Sequence, residues 1–173
     1  LILSPAFAQE IFICVWRNPE RTMTRIFPQA RDYKTIIKRI SEQNLKTIEE
    51  RLGSQLLPGQ RETWQYYRLV DGNGELLGYV MAAAQRGEFG VIEFVFGVDR
   101  DKRINGIYIQ RARERDREFR REEFLEQFIG KSINDVDNMQ LGKDIIAKET
   151  IGTTAVILGI RRNLINYEVL VNH

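Results

Sequence analysis

Apolar residues recur at helical spacing from Tyr33 to Leu52. Ile36, Ile37, Ile40, Ile48 and Leu52 alternate there with Lys and Glu, which predicts a helix capped by Asp32 and ended at Leu52-Gly53. The residues before it, 11–30, read as irregular, with Pro19 and Pro28 as breakers. Past the Pro58-Gly59 turn the period changes to two. Trp64–Val70 predicts a strand, Asp71-Gly72-Asn73-Gly74 a hairpin turn, and Leu76–Ala84 the returning strand. A second turn at Arg86–Gly90 leads to Val91–Val98, and a third at Asp99–Lys102 leads to Ile104–Gln110. Helical spacing returns over Arg120–Ile129, with Phe124, Leu125, Phe128 and Ile129 on one face and Gly130 as the stop. The segment 132–143 is a polar loop. A last helix begins near Thr153 or Thr154 and runs to about Tyr167, with Val156, Ile160 and Leu164 as its buried stripe.

Consecutive hairpins make an antiparallel sheet, because parallel strands need long crossovers. The fold class is therefore α+β: an antiparallel meander of four strands, with an N-terminal helix and C-terminal helices packed on it. The chain divides into a tail over residues 1–10, a helical lead-in over 11–60, and the main domain over 61–173.

The 173 residues, 43% of them apolar, are enough for one core. Net charge is only +2, from 26 basic and 24 acidic side chains, which argues against nucleic acid as the main partner. The basic run from Arg111 to Arg117 is interleaved with acids and reads as a solvated segment. Cys14 is the single cysteine, so internal disulfides and thiolate metal sites are excluded, and His173, the last residue, is the single histidine, which argues against a histidine triad or zinc site. No nucleophile–base pair is visible. Any chemistry comes from a cofactor or from carboxylates, or there is none.

Leu1–Glu10 resembles the end of a secretory signal, with a short apolar run followed by the small-x-small pattern Ala6-Phe7-Ala8. An ordinary apolar tail fits the same residues. Export, to a periplasm or equivalent compartment, is the expectation taken forward. No stretch is long enough to span a bilayer.

One turn offers a small-molecule site. Thr150-Ile151-Gly152-Thr153-Thr154 opens straight into the last helix, whose first N–H groups lack intrahelical partners and suit a phosphate. Helix capping by threonine accounts for the same residues.

Five features occur in order. They are Gly78-Tyr79, a glycine-bounded turn from Gly87 to Gly90, Gly97-Val98-Asp99, the Phe124–Lys131 helix end, and Asp144 followed six residues later by Thr150. Together, over about residues 64–168, they resemble the FMN-binding domain of the peripheral flavoprotein subunits of sodium-pumping NADH:quinone reductases and Rnf-type electron-transport complexes. That resemblance implies an antiparallel α+β fold, FMN as cofactor, and a redox protein or membrane electron-transport complex as partner. The family signature is Asp-x-x-Ser/Thr-Gly-Ala-Ser/Thr, whose last residue is esterified to the FMN phosphate by a flavin transferase. Carried onto this chain it implies Asp144 as the leading acid and Thr150 as the covalent position. Lys148, Ile151, Gly152, Thr153 and Thr154 then lie around the phosphate.

Ala147, Lys148 and Glu149 depart from the Ser/Thr-Gly-Ala expected there. Glu149 brings a negative charge beside the phosphate, and Lys148 a counter-charge. A register ending at Thr154 would keep Gly152 but lose the leading acid and put Thr153 at the alanine position. The resemblance further implies a ring lying against the sheet edge and the 132–143 loop. The altered triplet also supports another reading, a flavin-free docking subunit of a larger redox complex.

Among other residues, Glu114 is expected to pair with Arg111 or Arg117 on the surface. Gln127 and Lys131 are expected to face the loop before the last helix. Trp64, Tyr66, Tyr67 and Phe89 could stack on a ring, although strand aromatics usually build core.

Overall fold

The segment expected as one long helix is a strand and a helix. In the computed structural model, which describes residues 20–171, β1 spans Asp32–Arg39 and α2 spans Glu42–Leu52. Tyr33, Thr35, Ile36 and Ile37 favour extended backbone, because β-branched and aromatic side chains pack well on a pleated surface. The break lies at Ser41, whose Oγ accepts the Asn44 N–H at 3.2 Å and caps α2. Gly53, at φ 75°, ends that helix in the left-handed conformation, its N–H donating to the Glu49 carbonyl.

The other strands are β2 (Thr63–Val70), β3 (Leu76–Arg86), β4 (Val91–Asp99) and β5 (Ile104–Arg111). They form a five-stranded antiparallel sheet in the order β1-β2-β3-β4-β5. The sheet thus has one strand more than the four expected, and the extra strand comes from the lead-in. Asp71 shapes the β2–β3 turn by accepting the Asn73 and Glu75 N–H groups on Oδ1.

Each face of the sheet is covered. A short helix, α1 (Glu20–Ile26), lies in the stretch expected to be irregular. It sets Met23 and Ile26, with Phe27, against Leu69, Val80 and Val95 on one face. The other face carries the larger core, where Phe94 and Phe96 meet Phe119, Phe124 and Phe128. Its central element is α5 (Ile151–Val171), longer at both ends than expected. Val156, Ile160 and Leu164 are buried as the spacing predicts.

The expected helix over 120–129 is three short pieces: a 3₁₀ turn at Glu118–Arg120, α3 (Glu122–Leu125) and a 3₁₀ turn at Glu126–Phe128. Tight turning lets Phe119, Phe124 and Phe128 all reach the core. The expected loop 132–143 contains α4 (Ile133–Asp137), which has a Ser132/Asp135 capping box. Arg51 ties three helices together, lying 2.9 Å from Asp137 on α4 and 2.8 Å from Glu168 on α5. The tail over 1–10, with its Ala6-x-Ala8 pattern, lies outside the described residues, as do Cys14 and His173.

Candidate functional site

The head of α5 is a threonine cap. The Thr150 N–H donates to Oγ1 of Thr153 at 2.9 Å, and the Thr153 N–H donates back to Oγ1 of Thr150 at 3.1 Å. This is the capping-box geometry with threonine at both positions. Thr153 Oγ1 also lies 3.1 Å from the Lys148 carbonyl, and its side chain is fully buried. Gly152 is buried as well. A Cβ there would stand 2.2 Å from Phe119 Cδ1, so the glycine lets α5 close onto that ring. Asp144 stands apart, its Oδ2 accepting the Gln140 N–H at 2.9 Å and pinning the preceding turn. The Lys148 side chain is exposed.

Thr150, Ile151 and Thr154 share a cavity of about 610 Å³, while Asp144, Lys148, Gly152 and Thr153 do not line it. The volume suits a small organic ligand, for which pockets run from roughly 300 to 1,000 Å³. Its apolar walls are Leu52, Leu56 and Leu57 from the α2–β2 connection, with Ala155 and Leu158 from α5. Arg86, at the exposed end of β3, and Glu149 also line it. Gln60, Gln85 and Arg162 add buried polar groups. No residue of 132–143 lines it; the wall is the α2–β2 connection instead.

Arg162 is the unusual member. It is 5% exposed, its Nε has no hydrogen-bond partner, and no ion pair reaches it among the described residues. Burial without a counter-charge disfavours the charged form and pulls its pKa down to about 10, so it remains a cation at neutral pH. It also lines a second cavity of about 220 Å³, together with Gln60, Trp64 and Asn166. This second space follows from the sheet. The β2–β3 ladder runs only from Tyr66↔Met81 to Val70↔Leu76, and the cavity lies between Thr63–Gln65 and the Ala82–Ala84 stretch. Gln60 crosses to β3 there, donating to the Ala84 carbonyl at 2.8 Å.

Sequence reasoning missed Arg86, Arg162, Gln60 and Gln85. One signal was present for Arg162, a charge on a helix whose neighbouring positions Ile160, Leu164 and Ile165 are apolar and buried.

The remaining expectations resolve locally. Among the described residues Glu114 makes no ion pair. It is 9% exposed and accepts the Glu88 and Phe89 N–H groups, each at 3.0 Å, clamping the β3–β4 turn. Gln127 does face the loop before α5, exchanging hydrogen bonds with both backbone groups of Ile146. Trp64, Tyr66 and Tyr67 are core, and Trp64 donates to Asn163 Oδ1 at 2.8 Å. Tyr66 packs edge-on against Tyr79 and Tyr167, which are tilted against each other, and burial raises the pKa values of Tyr66 and Tyr167. Phe89 is exposed, with the Arg115 guanidinium 5.0 Å from its ring centroid.

These elements define an α+β protein built on a five-stranded antiparallel meander, with a cavity at the head of α5. No family model matches the chain, and no curated protein matches it. Among solved structures it is similar to the crystal structure of Shewanella oneidensis NqrC, with a TM-score of 0.49 and 17% identity over 84% of this chain and 81% of that one. Among the described residues no helix is long and apolar enough to cross a membrane, and no cluster of His, Cys, Asp and Glu could hold a metal ion.

Proposed function

We propose that this protein binds FMN at the head of α5 and carries electrons between redox partners. One observation carries the reading: Thr150, the position that aligns with the flavin attachment residue, lines a cavity of about 610 Å³ with apolar walls and buried polar groups. The residues present fit the cofactor. The Ile151 N–H at the start of α5 and the Thr150 hydroxyl would hold the phosphate. Arg86 at the mouth, with Lys148 on the preceding turn, would supply counter-charge. Leu52, Leu56, Leu57 and Leu158 would exclude water from the ring. Asp144 would act indirectly, by fixing the turn that delivers the chain to Thr150. The flavin supplies the redox chemistry when bound; the protein supplies orientation and electrostatics.

Esterification of FMN to Thr150 by a flavin transferase belongs to the same reading. So do export, supported by Ala6-x-Ala8, and docking to a redox protein or membrane electron-transport complex. The test is co-expression with a flavin transferase and FMN, followed by intact mass and a visible absorbance scan. A flavin-sized mass increment that disappears in Thr150→Val is the expected result. A colourless protein of unmodified mass overturns the proposal.

A second reading, a flavin-free docking subunit of a redox complex, is favoured by Glu149. Its carboxylate lines the mouth, where it opposes a phosphate, and the Thr150 hydroxyl already serves the cap. The segment 111–121 would then be the protein-binding surface. Stable capture of a redox subunit by colourless protein, lost when these arginines are changed to serine, selects this reading.

A further inference from the structure

We propose that the outer edge of β1 joins two copies of this chain. Each β1 pairs antiparallel with the partner's β1 about a two-fold axis through Thr35, so that the two five-stranded sheets become one continuous sheet. The contact does not depend on whether the cavity at the head of α5 holds a flavin.

The two edges of the sheet are not alike. β5 is closed at its start, where Ile104 accepts from the Gly130 N–H and donates to the Lys131 carbonyl. β1 ends the strand order on the other side, and among the described residues no strand pairs with its outer side. All of its residues are in register with β2, yet none of them is buried. Such a strand is a template for another. Its outward backbone groups belong to the odd-numbered residues. The Ile40 N–H donates to the Glu62 carbonyl, which turns the even positions toward β2. Tyr33, an odd position, sends its N–H instead to Asp32 Oδ1 at 2.8 Å.

The side chains decide which strand fits. Residues directly opposite in an antiparallel ladder lie on the same face and touch. With Thr35 opposite the partner's Thr35, Ile37 lies opposite the partner's Tyr33, and Lys38 opposite the partner's Asp32. Ile37 is 63% exposed and Tyr33 36%, and they are the large apolar side chains that β1 leaves in solvent. Both lie on the face of the smaller core, where Tyr33 meets Tyr67 edge-on with centroids 5.9 Å apart. The partner's Ile37 continues that core across the axis. On the opposite face the symmetry makes two Asp32–Lys38 ion pairs, and the stem of Lys34 covers the partner's Ile36. Arg31 would face the partner's Arg39, but its guanidinium is turned back onto the Pro28 and Ala30 carbonyls, at 3.1 and 3.0 Å.

The lysines exclude the neighbouring registers. An axis through Ile36 opposes Lys34 to the partner's Lys38, and an axis through Lys34 opposes that residue to its own copy. Like charges directly opposite are destabilising. An axis between two residues is excluded by the pleat, which would set side chains of unlike face against each other. Lysines that guard the edge against indiscriminate pairing thus leave one register open. Because the contact consumes the β1 edge of both copies, it closes at two.

The experiment is sedimentation equilibrium of the full chain. Wild type should show a reversible monomer–dimer equilibrium with a dissociation constant of roughly 10–100 µM, the weak range that suits a contact of one strand. Ile37→Lys should weaken the dimer by about 10-fold or more, with an unchanged circular dichroism spectrum because the side chain is exposed. Asp32→Lys and Lys38→Asp each place like charges opposite at both ends, and each should weaken self-association. An equimolar mixture of these two variants should form a heterodimer of wild-type strength, since every contact between positions 32 and 38 then joins opposite charges. The double variant Asp32→Lys/Lys38→Asp should dimerise as wild type does.

A wild-type chain that stays monomeric at about 1 mM overturns the proposal. A dimer indifferent to Ile37→Lys places the contact on another surface and overturns it too, as does growth beyond two copies. If the two charge variants associate no more strongly mixed than alone, the register is wrong and the proposal falls with it.

Discussion

Gly152 lets Phe119 sit against the head of α5, and this packing role is independent of any ligand. Gly152→Ala would drive a methyl group into the ring edge of a fully buried phenylalanine. Overpacking of this kind costs about 1–3 kcal/mol. Urea denaturation should show that loss with or without flavin present. Glu114 and Gln127 belong to the same scale. Each is a lone polar residue whose charge or amide suggested a surface role, and each holds backbone groups of a distant segment. Their partners lie 25 and 26, or 19, residues away, so no local pattern could name them.

At the scale of elements, α5 is made by its own residues. Its apolar run and the threonines ahead of it specify a helix and a cap. The Thr150–Thr153 exchange satisfies one orphan N–H at the helix start and one just before it. Thr153→Ala removes the buried hydroxyl and should cost on the order of 1–2 kcal/mol, measured as a lowered urea midpoint. The strands after Thr63 were equally legible, because two-residue alternation bounded by Asp-Gly and Gly-Glu-Phe-Gly turns admits few other readings.

The β1–α2 segment was not legible. Ile36, Ile37 and Ile40 fit a helical stripe and a strand face alike, and Ile37 is in fact 63% exposed. What decides is the unpaired edge of β2, which offers an eight-residue ladder from Arg39↔Thr63 to Asp32↔Val70. The pieces over 118–128 fail as one helix for a similar reason: three phenylalanines must reach one core, and a regular α-helix cannot deliver them all.

Across the whole molecule, two kinds of buried ionisable group act with opposite sign at alkaline pH. Burial raises the Tyr66 and Tyr167 phenols above the ordinary value, so the folded state keeps protons that the unfolded chain loses. Their contribution is intact below about pH 10 and is lost as pH rises beyond it. Arg162, lowered from 12.5 to about 10, does the reverse: its cost to the fold is relieved as pH climbs through that interval. Stability against urea should therefore fall between about pH 8 and about pH 10.5. Tyr167→Phe should flatten the fall and Arg162→Met should steepen it; circular dichroism at the two pH values checks both.

Some properties follow from the chain itself. Alternation and turn residues set the β2–β5 meander, and an apolar run behind a threonine cap sets α5. A composition with one cysteine and one histidine leaves any redox chemistry to a cofactor. These are local consequences of period, propensity and residue count. The tertiary structure alone decided that β1 joins the sheet, that β2 and β3 part beyond Tyr66, and that Arg162 lines the resulting gap with no ion-pair partner among the described residues. Each of these depends on which distant surfaces remain unpaired once the core closes, and on burial, which sets the strength of a charge and is a property of the packed molecule rather than of the residue.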